Sequence, residues 1–246
     1  MSSNAISFDL NNINLSLIKE EYLNLKEDEM KPIELNSSFV SFQETRTNMI
    51  NWLTFLCKTL NFNDQTLFRC VSIFDQYISK ILDNQKEMEE MTQGKLNLIA
   101  ISCLSLSTNL EEVNCNYIEF LNEKVLNTPK EKIFTNTDLT NMELKILKTL
   151  KFNTIYSTPL DFIEVYAKIF SQFLGDKNDQ IISNIRNISI NLIKSNINNI
   201  CYLTNSPSHF SYLCFVQSLN EIKMLNSLGM KQIKKAIFNL GHQLVF

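Results

Sequence analysis

The stretch from Leu96 to Leu110, LNLIAISCLSLSTNL, carries no charged residue and is apolar on nearly every face of a helix. A helix of that kind is stable only when other helices surround it. It is not a membrane span: a bilayer needs about 20 apolar residues, and this shorter run includes Asn97, Ser102, Ser105, Ser107, Thr108 and Asn109. The chain therefore needs amphipathic partners to pack around a central helix.

Such partners are present on both sides. Leu15, Ile18, Tyr22, Leu25 and Met30 recur at helical spacing ahead of Pro32, and a second helix is predicted from about Ser41 to Leu60, with Met49, Ile50, Leu53, Leu56, Cys57 and Leu60 on one stripe. Asn63 or Asp64 caps a third, striped by Leu67, Val71, Phe74, Ile78 and Leu82. Beyond the central stretch come a polar-flanked segment from Tyr117 to Leu126 and a helix from Thr137 to Leu150. Ser157-Thr158-Pro159 opens a helix to about Leu174 that breaks at Gly175, and a long helix is expected from Gln180 to Cys201. Ser206-Pro207 opens another to Leu225, and Gly229 precedes a last one bearing Ile233, Ile237, Leu240 and Leu244. With only 4 Gly and 4 Pro in 246 residues, the chain lacks the turn formers of a sandwich or barrel. An all-α fold follows, in two halves of similar helical make-up joined at about 151–158.

The 20 Lys, 3 Arg and 26 acidic residues give a net charge of −3 with no basic block, so no nucleic-acid partner is expected. Cys57, Cys70, Cys103 and Cys214 sit inside apolar helical patterns, and the six cysteines show no CxxC spacing. They read as reduced core thiols of an intracellular protein, with neither a disulfide frame nor a metal site. Met1 to Leu17 has no basic start followed by an apolar run, so no secretory signal is expected. His209 and His242 have no serine or cysteine constellation near them, and no glycine-rich phosphate loop occurs. Neither catalysis nor a cofactor is expected. The 31 asparagines read as drift on solvated faces.

Three charges contradict the amphipathic rule. Arg46 lies three and four residues before Met49 and Ile50, and Asp75 lies four after Val71 and three before Ile78. Either both reach water at the edge of their stripes or, as we expect, they meet as a buried fork-to-carboxylate pair, because a lone buried charge costs several kcal/mol, roughly. Glu143 stands four after Leu139 and three and four before Ile146 and Leu147. From the residues alone it is either an exposed glutamate at the edge of the face or a carboxylate offered to a partner protein.

These segments, taken together, resemble the cyclin family. Arg46-Thr-Asn-Met-Ile-Asn-Trp52-Leu is similar to the opening of a cyclin box, with its Arg six residues before a Trp. Ser72-Ile-Phe-Asp75-Gln-Tyr-Ile resembles the second-helix pattern, and Gly94 to Val113 resembles the central helix with its glutamate pair, Glu111 and Glu112. Met142-Glu143-Leu-Lys-Ile-Leu-Lys-Thr-Leu-Lys-Phe152 is similar to the fifth helix, and Tyr202-Leu-Thr-Asn-Ser-Pro207-Ser208 to the matching helix of a second box. The resemblance runs from about Leu15 to Phe246 without losing its order.

The resemblance implies tandem cyclin boxes: an N-terminal tail and helix over 1–40, a first box of five helices over 41–154, and a second box over 155–246 ending after about four helices. It implies a non-catalytic subunit, in the nucleus or cytoplasm, that binds and activates a cyclin-dependent protein kinase, with kinase substrates or inhibitors as further partners and no membrane. The kinase-binding face it implies comprises Leu106, Asn109, Leu110, Glu111, Glu143, Leu147 and Phe152, which moves Glu143 from edge residue to partner contact. Met49, Trp52 and Asn97 fall where the family docks substrates, although Thr45, Asn48 and Met49 depart from its usual Met, Ile and Leu there. Asn109 replaces a family lysine, which removes charge-assisted hydrogen bonds of about 1.5–3 kcal/mol. No Arg-x-x-Leu degradation signal precedes Arg46, the first arginine. Other readings of the fold are a non-activating adaptor, a transcription-associated cyclin, and a promoter-binding general transcription factor; the last calls for a zinc ribbon and a basic face, which the sequence lacks.

Overall fold

A computed structural model of the protein describes residues 16–82, 91–112, 134–174 and 179–222. These residues form helices joined by turns, and the sole β-type contact among them is an isolated parallel bridge between Glu29 and Ser157. The helices group into two units, one made of Pro32–Tyr156 and the other of Met1–Lys31 together with Ser157–Phe246.

In the first unit, α2 (Ser37–Thr59), α3 (Asp64–Leu82), α4 (Gln93–Glu111) and α5 (Asn136–Thr149) pack together. The uncharged helix α4 touches α2, α3 and α5, as its all-round apolar character demands. Ile99, Ala100, Cys103 and Leu104 are wholly enclosed there. Helix starts are written in the sequence. The Asn36 side chain accepts from the Phe39 N–H at 2.7 Å, Thr92 accepts from Lys95, and Thr135 and Asp138 form a reciprocal capping box. Asn63 Oδ1 accepts from the Thr66 N–H at 2.8 Å, which settles the choice of cap for α3. The two hydrogen bonds that Thr135 donates hold the Asp138 carboxyl below its ordinary value.

Arg46 and Asp75 are wholly enclosed between α2 and α3. The guanidinium Nε donates to Oδ1 and Nη2 to Oδ2, both at 2.8 Å, the bidentate geometry that best offsets removal from water. Burial pushes the Asp75 carboxyl up, and the charge and hydrogen bonds of Arg46 pull it part of the way back. Burial likewise pushes the thiols of Cys70 and Cys103 far up, so these cysteines remain protonated core groups.

The second unit joins α1 (Ser16–Glu27) to α6 (Pro159–Leu174), α7 (Asp179–Asn196), the short α8 (Ile200–Thr204) and α9 (Pro207–Glu221). Helix α1 packs on α6 through Tyr22, whose ring meets Phe162 edge-on with centroids 5.7 Å apart and lies 6.3 Å from Tyr166. Glu29 then reaches the start of α9, where its carboxylate accepts from the Ser208 N–H at 2.5 Å while also pairing with Lys26. Tyr166 donates to the Ser208 carbonyl at 2.9 Å, and the Ser157 N–H donates to the Asp28 carbonyl at 3.0 Å.

Three element boundaries differ from expectation. Helix α2 starts at Ser37 and not near Ser41, because Asn36 supplies the cap. The segment Gln180–Cys201 is two helices: Asn196 Nδ2 donates to the Leu192 carbonyl at 2.8 Å, and Asn199 caps a new start at Ile200. Asparagine side chains here compete with the backbone ladder and end the helix. Helix α9 closes at Glu221, short of Leu225. The segment Tyr117–Leu126, the break at Gly175 and the helix after Gly229 lie outside the described residues. Among the described residues, no helix is long and apolar enough to cross a membrane.

Candidate functional site

Besides Val40 and Phe55 on α2, the exposed large apolar side chains of the first unit lie on two chain segments, the end of α4 and the stretch from α5 to Ile155. Helix α4 ends with Leu106 half-buried, Asn109 exposed and Leu110 at 45% exposure, one helical turn apart on a common side, while Ser107 and Thr108 turn inward. Packed against α4, helix α5 buries Leu139, Met142 and Ile146. Glu143 and Leu147 stand at the edge of that stripe, half-buried, with Leu144 at 43% exposure beside them. Among the described residues, neither the Glu143 nor the Asn109 side chain takes part in a hydrogen bond or ion pair. A half-desolvated carboxylate in an apolar surround gains from any cation or N–H that a second molecule brings.

The end of α5 extends this face. The Phe152 N–H donates to the Leu147 carbonyl at 2.7 Å and the Lys151 N–H to Lys148 at 3.1 Å. This is the Schellman arrangement, which sets residue 152 beside residue 147. Lys151 and Phe152 both have left-handed backbone, with φ of 53° and 61°. For side chains of this size that conformation costs about 1–2 kcal/mol per residue. At that cost the two hydrogen bonds hold a 65%-exposed phenylalanine at the end of the helix beside Leu147.

Glu111, counted with the kinase-binding face, is engaged within the chain. Its carboxylate accepts from Arg69 Nε at 2.5 Å, and the same guanidinium donates through Nη1 to the Tyr156 carbonyl at 2.6 Å. Its neighbour Glu112 accepts from the Asn63 N–H at 2.9 Å and the Thr66 hydroxyl at 2.6 Å. Both members of the glutamate pair therefore hold the end of α4 to α3 with their charges.

The three positions assigned to substrate docking differ in exposure. Met49 is a core residue at 6% exposure, because its stripe on α2 faces inward with Ile50 and Leu53. Trp52 and Asn97 are half-buried, and Asn97 accepts from Gln93 Nε2 at 2.9 Å, with the same nitrogen 4.0 Å from the Met49 sulfur. Arg69, Leu144 and Ile155, the last 62% exposed, were missed from sequence. An arginine inside the run Leu67-Phe68-Arg69-Cys70-Val71 was the available signal for the first of them. Among the described residues no group of His, Cys, Asp and Glu is arranged to hold a metal.

Comparison with known proteins places this geometry in context. Residues 17–155 match the family model described as the N-terminal domain of cyclins. The chain is 29% identical over 126 residues to Cyclin-B2-2 of Oryza sativa subsp. indica, a match covering 51% of this chain and 27% of that protein. It is 29% identical over 139 residues to Cyclin-B2-1 of Arabidopsis thaliana, covering 56% and 28%. It is 27% identical over 128 residues to G2/mitotic-specific cyclin-2 of Saccharomyces cerevisiae, covering 52% and 23%. The matched region is thus about a quarter of the length of these relatives. A solved viral cyclin from herpesvirus saimiri superposes with a TM-score of 0.57 at 17% identity, covering 92% of this chain and 97% of that one, and so shows the fold.

Proposed function

The chain belongs to the cyclin family, and from that premise we propose that it is a regulatory subunit, itself without chemistry, that binds and activates a cyclin-dependent Ser/Thr protein kinase in cell-cycle control. The observation that carries this reading is Glu143, a half-buried carboxylate without a partner among the described residues, at the edge of an apolar face. Leu106, Leu110, Leu147 and Phe152 supply the apolar area, and Asn109 supplies an amide that donates to backbone carbonyls. Docked on the small lobe of the kinase, the face holds the mobile helix inward, so that the lysine–glutamate pair and the metal-binding aspartate of the kinase align for phosphoryl transfer. The cell-cycle assignment is supported by the mitotic cyclins among the similar proteins.

The test is reconstitution. Added to a purified cyclin-dependent kinase, the chain is expected to co-elute with it and to raise phosphorylation of a histone-type substrate. Glu143→Lys is expected to weaken the complex about 30-fold or more, equivalent to ~2 kcal/mol, with far-UV circular dichroism unchanged. Wild-type affinity in that variant would remove Glu143 from the interface. A complex that forms without stimulating phosphorylation identifies a non-activating adaptor, the second reading, which the exposed Asn109 in place of a family lysine favours.

A further inference from the structure

Arg69 is buried on α3 and has no direct share in the exposed face, yet it touches both of the segments that build it. Nε meets Glu111, the last residue of α4, directly after Asn109 and Leu110. Nη1 meets the carbonyl of Tyr156, directly after Ile155 and four residues beyond Phe152. A guanidinium is a rigid planar fork whose donors keep fixed angles to one another. Two acceptors bound by one fork are held at a fixed separation, so the end of α4 cannot move against the chain beyond α5 without breaking a charge-assisted bond. The second tie of the α4 terminus, from Glu112 to Asn63 and Thr66, leads to α3 as well. The Arg69 and Glu111 side chains are 10% and 17% exposed, so water competes little for these bonds.

We propose that Arg69 is a positioning residue that pre-orders the kinase-docking face by clamping its two segments together through Glu111 and the Tyr156 carbonyl. The proposal rests on the kinase-binding reading above. Order established before contact need not be created during it, which raises affinity without adding a contact. At a face where Asn109 offers an amide and no cation, this gain offsets part of what the missing charge would supply.

The variants are Arg69→Met with Glu111→Gln, which removes the clamp and the charge it would orphan, and Arg69→Lys, whose single ammonium cannot hold both acceptors at fixed angles. Amide hydrogen exchange is measured on the free full chain, and kinase affinity on the complex. In the double variant, exchange is expected to accelerate selectively at 109–112 and 152–156, and affinity to fall about tenfold. Arg69→Lys is expected to fall between the double variant and wild type. Exchange that rises evenly over the whole of Pro32–Tyr156, or affinity equal to wild type, would overturn the clamp and leave Arg69 a fold-stabilising residue. If the double variant does not fold, the same outcomes are read from Arg69→Lys. A wild-type chain that binds no cyclin-dependent kinase defeats the reading beneath the proposal, while the exchange contrast still decides whether Arg69 orders the two segments.

Discussion

Arg46 and Asp75 are both fully enclosed, so the energetic consequence of mutation depends on how many of the two are replaced. Arg46→Ala strands a buried carboxylate and is expected to lower stability by about 3–5 kcal/mol, measured by urea unfolding. Replacing both, as Arg46→Met with Asp75→Leu, is expected to recover most of that loss, because the desolvation cost disappears along with the attraction. A double variant as unstable as the single one would contradict this account. The pair was legible in the sequence because each charge interrupts an apolar stripe. Arg69 passed unnoticed although it stands inside an apolar run, because α3 is buried on nearly every side and the stripe rule tests only one. The inward turn of Glu111 was equally hidden, since its partner lies 42 residues away and no local pattern carries that distance.

Helix ends reveal a second kind of information. Helices α2 and α5 close with the same Schellman hydrogen bonds, Phe62 N–H to the Cys57 carbonyl at 2.9 Å in one and Phe152 N–H to Leu147 in the other. At the left-handed position α2 has Asn61, a residue that tolerates it, whereas α5 has Lys151 followed by Phe152. Lys151→Gly is expected to raise stability by about 0.5–1 kcal/mol, the strain relieved less the entropy that glycine adds to the unfolded chain. A fall in the urea midpoint would show that Lys151 makes a compensating contact. The existence of these helices was legible from apolar periodicity, and so was the enclosure of α4. The break between α7 and α8 was missed because Asn196 and Asn199 act by side-chain bonds to backbone, which periodicity does not register.

At the scale of the molecule, the sequence disclosed two helical halves but not the allegiance of α1. Residues 16–31 fold with 157–222, across the whole of Pro32–Tyr156. Deleting residues 1–31 is expected to uncover Tyr22's neighbours Phe162 and Tyr166 and to leave Ser208 without its carboxylate acceptor. Loss of several kcal/mol from that unit is the expected result, given about 3–5 kcal/mol for removing one large core aromatic. Hydrogen exchange resolved along the chain checks it: protection should fall in 159–222 and persist in α3 and α4. Protection retained throughout would show that α1 is dispensable. The same arrangement sets a timetable on the ribosome. Translation at about 5–20 residues per second needs on the order of 10 s to make the intervening unit, so Ile18 and Tyr22, among the earliest described side chains to emerge, stay wet until Phe162 and Tyr166 of α6 have been synthesised.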